Sequence, residues 1–305
     1  MPARPEAATR PRAWRDWLTL TKPAITGLIV LVAVAGYFLA LPGRIDLVRL
    51  GFLVVLGWSA SSGAAMLNHY LDRDVDARMK RTRERPLPGA RIASNVSVAI
   101  VGTALAAFGV VGAAVLLDPL AGLSILLGVV TYVVVYTVWL KRRSSWNIVV
   151  GGFAGSAPAL AGSAAAVGAW TPGVLAFALL VFLWTPPHFW SLALVLRDDY
   201  ARAGLPMLPK MDDVGSSGRT VVVSAGLLVP ATLLLGWMGP VTVPAFLVLL
   251  ALGAVFVAVA APLWRNPVRR SALRGFIYSG PYLLAVIGTV VVNWWMLHPG
   301  ISLGW

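Results

Sequence analysis

The chain contains no cysteine, which excludes disulfides, cysteine-bound zinc knuckles and covalent c-type haem attachment. Charge is also scarce. Asp, Glu, Lys and Arg make up 12% of the residues, about half the share usual in a soluble domain. Acids are the rarest of these, 12 against 25 bases, and histidines number 3. Apolar residues take their place: 58% of the chain is hydrophobic and the mean hydropathy is +0.80. Such a composition implies an integral membrane protein.

A membrane-spanning helix needs about 20 apolar residues. Nine stretches qualify, at 24–42, 48–70, 95–117, 120–140, 147–168, 173–195, 219–238, 242–264 and 275–296. Apolar runs of this length exclude β-barrel strands, which alternate over about 10 residues. The expected fold is an all-α membrane protein, a bundle of nine transmembrane helices. With nine spans, 23 of the 25 basic residues fall on one side and two, Arg44 and Arg49, on the other. The positive-inside rule then puts the N-terminus in the cytoplasm and the C-terminus outside. The net charge of +13 is thus a topology signal and calls for no nucleic-acid partner.

Residues 1–22 read as a basic cytoplasmic tail, and 23–305 as one nine-helix domain in the lipid bilayer. Trp14, Asp16 and Trp17 break any signal-peptide layout. Arg12 to Leu20 is expected to lie along the membrane interface, anchored by those two tryptophans. A prokaryotic cytoplasmic (inner) membrane suits this layout better than the mitochondrial inner membrane, whose presequence would be unusually brief here.

The few charges are concentrated. Between Asp72 and Arg91 stand seven bases and four of the acids, although each ionisable group taken into hydrocarbon costs roughly 3 kcal/mol or more. Asn68, Asp72 and Asp76 recur at i, i+4 and i+8, so on a helix they stay within about 80° of one another over roughly 12 Å. Two carboxylates and an amide on one face suit Mg²⁺, a hard cation that takes oxygen ligands and leaves positions for phosphate. Lys80, Arg81, Arg83 and Arg85 follow at once and can hold phosphate oxygens. Metal plus arginines implies a diphosphate. The bland alternative is a snorkelling helix end whose charges only set topology.

Asn-x₃-Asp-x₃-Asp followed by Arg81-Thr-x₂-Arg85-Pro86 resembles the first aspartate motif of the UbiA-type intramembrane prenyltransferases. Four further stretches resemble the protohaem IX farnesyltransferase (haem O synthase) branch of that family: Leu20-Thr-Lys22-Pro23, Lys141 to Gly152, Thr185-Pro-Pro-His188-Phe-Trp190 and Asp198 to Pro209. The resemblance implies a bundle with a lateral cavity for a prenyl diphosphate, with Asn68, Asp72 and Asp76 as its Mg²⁺–diphosphate ligands. It implies farnesyl diphosphate as donor, haem b as acceptor, haem O as product and a haem A synthase as the partner that takes the product onward. The family's second Asp-x₃-Asp is missing, because Arg202 and Ala203 stand four residues after Asp198 and Asp199. Those two aspartates are left as metal candidates acting through water.

His188, inside the sixth span beside Pro186-Pro187, is a candidate haem contact, as iron ligand or propionate partner. Its alternative is a histidine repairing the proline kink. Trp184, Tyr200 and Asn147 are placed with it in the acceptor pocket. His69 points about 100° away from Asn68 and reads as a neighbour of the ladder. Tyr132, Tyr136 and Trp139 share a face at i, i+4 and i+7; Tyr132 and Tyr136 are assigned to the prenyl tunnel, where ring faces stabilise an allylic cation. Lys141, Arg142 and Arg143 end that span, with Arg142 assigned to the diphosphate. Gly151, Gly152, Gly155 and Gly162 favour close helix approach. Ser156-Ala-Pro-Ala159 and Gly162-Ser163 depart from the bulkier pattern expected, leaving room for a reshaped acceptor pocket or a longer prenyl chain. Three rival readings compete with this one. A quinone-ring acceptor is disfavoured by Pro187-His188-Phe189-Trp190 and the missing second motif. An ion-coupled transporter would carry its acids near span centres. A CDP-alcohol phosphatidyltransferase would need a glycine after the second aspartate.

Overall fold

Nine helices long and apolar enough to cross a membrane occur among the residues that the computed structural model describes, 13–207 and 214–299. Arg4, Arg10, Arg12, Pro209, Lys210 and residues 300–305 lie outside the described residues. In chain order the elements are α1 (Ala13–Leu20), α2 (Pro23–Ala40), α3 (Leu47–Arg78), α4 (Asn95–Leu116), α5 (Pro119–Val130, continued by a π-helical Thr131–Leu140), α6 (Asn147–Gly151), α7 (Phe153–Val167), α8 (Pro172–Val195), α9 (Arg197–Arg202), α10 (Val214–Gly226), α11 (Leu228–Met238), α12 (Val243–Ala260, with a 3₁₀ turn Ala261–Trp264) and α13 (Arg269–Leu297). The fifth span is α6 with α7, and the seventh is α10 with α11.

Local chemistry sets the boundaries. Asp46, Asp118, Thr171 and Thr242 each accept a hydrogen bond from a backbone N–H in the first turn of the helix they precede. Proline occupies the first or second helical position after three of them, where its missing N–H costs nothing. The second span outruns its apolar stretch: α3 has 32 residues, about 48 Å of helix against a hydrocarbon layer of roughly 30 Å. The whole aspartate ladder is therefore helical. Helix α8 remains one element through Pro186 and Pro187.

Helix α8 packs against α2, α7, α10, α11 and α13, and its Phe177 and Leu180 share a buried cluster with Phe256, Tyr282 and Val286. Val115, Trp237 and Val243 face outward, as the lipid side of a bundle should. A second cluster, including Val75, Met79, Trp190, Tyr200 and Met207, seals the charged end beneath α9. Helix α1 leaves Trp14 exposed and docks through Leu20 against Met66, Leu87 and Val98. Its Asp16 accepts from Arg91 Nε at 2.9 Å, tying it to the loop after α3.

The tightest crossing is between α2 and α7. A Cβ on Gly162 would lie 1.9 Å from the Ala33 carbonyl oxygen, and one on Gly36 would lie 2.2 Å from that of Ala159. Backbones meet there, so no side-chain rotation can relieve a substitution. Gly155, by contrast, has only ordinary contact distances around it. Gly162→Val is expected to destabilise the bundle by about 1–3 kcal/mol or more, the usual cost of overpacking. Gly155→Ala should be nearly neutral. Thermal unfolding in detergent checks both.

Candidate active site

The ladder is buried and every member is engaged. Asn68, Asp72 and Asp76 are 4%, 1% and 3% exposed, on the face of α3 turned toward the π-helical end of α5. Asn68 Nδ2 donates to Asp72 Oδ2 at 2.7 Å and to Thr137 Oγ1 at 3.0 Å. Lys141 Nζ lies 2.5 Å from Asp72 Oδ2, and Arg85 Nη1 lies 2.7 Å from Asp76 Oδ2. The second oxygen of Asp72 is buried without a hydrogen-bond partner. An orphaned carboxylate oxygen beside an amide and a second carboxylate fits a hard divalent cation. No group of three or more His, Cys, Asp or Glu side chains placed to hold a metal ion occurs among the described residues.

The π-helix supplies the facing wall. Its i→i+5 pattern appears in the 2.8 Å bond from Lys141 N to the Tyr136 carbonyl, and in the Thr137 hydroxyl bonded back to the Tyr132 carbonyl. Each π-helical residue turns through less than the 100° of an α-helix. Tyr132 and Tyr136 still stack, with centroids 6.0 Å apart. By seven residues the lag has carried Trp139 to the outer face, where it is exposed. The three-residue aromatic stripe expected from α-helical spacing is thus reduced to two. The same lag aims Thr137 and Lys141 at the ladder.

Lys22 joins the site, although its place in Leu20-Thr-Lys22-Pro23 carries no role by itself. Its Nζ donates to Asn68 Oδ1 at 2.6 Å and to the Tyr132 hydroxyl at 3.1 Å. Its backbone is left-handed, with φ 48°, a conformation that costs a non-glycine residue about 1–2 kcal/mol. Pro23 disfavours the α-helical region for the residue before it, and Thr26 fixes the chain entry by donating to the Thr21 carbonyl. Burial, followed by the neighbouring Arg85 and Lys141 charges, pushes the Lys22 ammonium pKa down to about 7. The available signal was a lysine placed immediately before a helix-starting proline.

The remaining predicted residues separate by location. Arg142 is bidentate to Asp74 at 2.7 and 2.8 Å and also donates to the Leu71 carbonyl. Its guanidinium comes no nearer than 4.0 Å to Asp72. Lys80 and Arg81 are exposed; the Arg81 backbone N–H reaches Asp199 Oδ2 at 3.4 Å. Asp199 also pairs with Arg202. Burial opposes its ionisation, but Arg202 and the Arg81 and Lys80 backbone amides hold its carboxyl below the ordinary aspartate range. Asp198 faces outward beside Arg197. Asp199 thus pins α9 to the segment after α3. His69 is 2% exposed, with both ring nitrogens unpartnered and Nδ1 at 4.0 Å from Asp76.

A cavity of about 290 Å³ opens beside the ladder. Lys22, Tyr132 and Tyr136 line it near the carboxylates, and Trp184, Thr185, His188 and Phe189 line it from α8. Small residues shape its walls, among them Gly57, Ala60, Ala64, Gly128, Gly155 and Ala157, together with Pro158. The His188 ring is stacked on Trp184 with centroids 4.5 Å apart, and its Nδ1 is 2.5 Å from Ser279 Oγ. It therefore bonds a side chain on α13, not a carbonyl freed by the prolines. Asn147 and Tyr200 do not line this cavity. Asn147 is fully buried and donates to the Ser144 and Pro206 carbonyls; Tyr200 belongs to the cluster under α9.

The sequence profile of the UbiA prenyltransferase family matches residues 29–287. A curated protein of Rhizorhabdus wittichii named protoheme IX farnesyltransferase is 42% identical over 298 residues, covering 95% of this chain and 97% of that protein. One of the same name from Sulfurisphaera tokodaii is 40% identical over 283 residues, covering 91% and 92%. Among solved structures, a UbiA homologue from Archaeoglobus fulgidus bound to DMAPP and Mg²⁺ superposes with a TM-score of 0.70 at 16% identity, covering 91% of this chain and 99% of that one, a likeness that speaks for the fold. A nine-helix membrane bundle with a matching profile over most of its length, and relatives this similar end to end, place the chain in the UbiA prenyltransferase family.

Proposed function

We propose that the protein transfers a farnesyl group from farnesyl diphosphate to a vinyl group of haem b, with addition of water, giving haem O and diphosphate. The observation that carries this reading is an apolar cavity that runs from Lys22, Tyr132 and Tyr136, beside the carboxylate ladder, to the aromatic, histidine-bearing wall of α8. The names of the relatives support the donor and acceptor. Both substrates have large apolar bodies, which suits a cavity walled by glycine, alanine and aromatic side chains inside a membrane.

Asn68, Asp72 and Asp76 are the residues that would hold Mg²⁺, which when bound neutralises charge on the diphosphate and makes it a better leaving group. Arg85 and Lys141 balance the two carboxylates of the ladder, and Lys22 adds N–H donors beside them that diphosphate oxygens can accept from. The C1–O bond of the donor breaks and both electrons leave with the diphosphate. Tyr132 and Tyr136 offer ring faces to the allylic cation and exclude water from it. The terminal vinyl carbon then bonds to C1, and water adds to the adjacent carbon with loss of a proton. Trp184 and His188 orient the acceptor.

The cytoplasm is the proposed location of the charged end, within the cytoplasmic membrane of a prokaryote, on the strength of the basic-residue bias. A haem A synthase is the proposed recipient of the product. Arg142, Lys80 and Arg81 are proposed as a second rank of cations for the leaving diphosphate. Asp199 serves the approach of α9 to the site, a role supported by its contact with the Arg81 backbone N–H.

Purified protein given haem b, farnesyl diphosphate and Mg²⁺ should yield a haem O mass by mass spectrometry. The signal should vanish with chelator, and Asp72→Ala should lower kcat by about 10²–10³. Diphosphate release with a quinone-ring acceptor but no new haem would overturn the acceptor assignment. Lys22→Met should raise the KM for farnesyl diphosphate by about tenfold or more, the loss of one hydrogen bond to a charged group, with thermal stability little changed; an unaltered KM removes Lys22 from the diphosphate site. Because the chain has no cysteine, Arg83→Cys on the exposed loop tests orientation directly. An impermeant maleimide should label it only after the membrane is opened.

A further inference from the structure

Ser279 lies on α13, fully buried, with its hydroxyl oxygen between two partners. It is 2.6 Å from the Phe276 carbonyl oxygen and 2.5 Å from His188 Nδ1. A serine hydroxyl has one proton, and a carbonyl oxygen can only accept. Both contacts are hydrogen bonds only if the serine donates to Phe276 and the histidine donates to the serine. That arrangement makes His188 the Nδ1–H tautomer and leaves the lone pair on Nε2. Nε2 has no hydrogen-bond partner among the described residues, yet it is not sealed off as both ring nitrogens of His69 are, and His188 lines the cavity.

The ring is also held in place. Trp184 stacks on one side, and Phe276 lies 4.9 Å away at a tilt. Phe189 meets the ring edge-on at 5.2 Å. The Trp184 indole N–H donates to the Ser279 carbonyl at 2.9 Å, so one residue of α13 anchors both the imidazole and its stacking partner. A lone pair on a fixed imidazole can act as a base or as a metal ligand. A base becomes imidazolium, and this slot of three aromatic rings and a serine offers no carboxylate to stabilise it. Coordination uses the neutral ring that the slot already holds. Metal-bound histidines typically donate their other ring N–H to an oxygen that fixes tautomer and orientation.

We propose that Ser279 is a positioning residue that holds His188 as its Nδ1–H tautomer, so that Nε2 is the axial ligand to the iron of haem b in this cavity. The proposal rests on the haem reading above. It also gives α13 a part behind the acceptor wall: α8 carries the ligand, and Ser279 of α13 sets its tautomer.

The test is a titration of the purified full-length protein in detergent with ferric haem b, followed by absorption and EPR spectra. Wild type is expected to show nitrogen-ligated haem. His188→Gly should lose that signature and regain it with added imidazole. Ser279→Ala should bind haem about tenfold more weakly, with a mixed-ligation spectrum, in keeping with the 10–100-fold effect of removing such a supporting partner. Ser279→Thr, which keeps the hydroxyl, should restore the wild-type spectrum, an outcome that a merely structural role would not produce. If wild type binds haem and makes haem O, but His188→Gly gives the same spectrum, ligation is overturned and the proposed function stands. If Ser279→Ala matches wild type in both spectrum and affinity, the positioning role is overturned. A wild type that takes up no haem overturns both readings.

Discussion

Two carboxylates buried in a membrane bundle must be matched by cations, because an unpaired charge in that setting costs several kcal/mol. Asp72 and Asp76 meet this constraint with Lys141 and Arg85, and Asn68 extends the network to Lys22 and Thr137. The partners come from the start of α2, the segment after α3 and the π-helical end of α5. Satisfying these charges therefore brings the ends of three spans to one place. Buried ion pairs are weak evidence for stability, since well-packed apolar residues often do as well. Their presence here is better understood as a binding arrangement, in which cations already gathered around carboxylates can be shared with an incoming anion.

The backbone departs from ideal geometry in the same region. Lys22 adopts a left-handed conformation, and Thr131–Leu140 widens into a π-helix. Both features are costly in isolation and both aim side chains at the ladder. Strain persists where surrounding contacts over-determine it. Here Thr26, Tyr132 and Asn68 supply those contacts. The rest of the bundle remains regular, with capped helix starts and small residues at the closest crossing.

The legible features of the sequence were the periodic and the compositional ones. Nine apolar stretches became nine spans because hydrocarbon thickness admits few alternatives. The ladder was readable because i, i+4, i+8 spacing keeps side chains on one helical face. His188 and Trp184 stand four residues apart on one helical span, and that spacing lets their rings stack in the cavity wall. Other assignments depended on contacts across the chain. Of the bases that end the fourth span, Arg142 is held by Asp74 and the Leu71 carbonyl, while its neighbour Lys141 reaches Asp72. A run of three bases does not reveal which one turns inward. Nothing in their own segments places Asn147 and Tyr200 away from the cavity, at the charged end that they close by packing and by hydrogen bonds to loop carbonyls.

Composition and helical spacing, on their own, determined the membrane class, the number of spans, the loop charge bias and the chemical character of the ladder. Each of these depends on residues near one another along the chain. Tertiary structure decided that Lys22 meets Asn68 across 46 residues, that the fourth span ends in a wider helix, and that Ser279 faces His188 across 91. Those pairings depend on how helices cross, and crossing is set by small-residue contacts such as Gly36 against Ala159. Which polar side chains then face one another is a property of the packed bundle, written in no single segment.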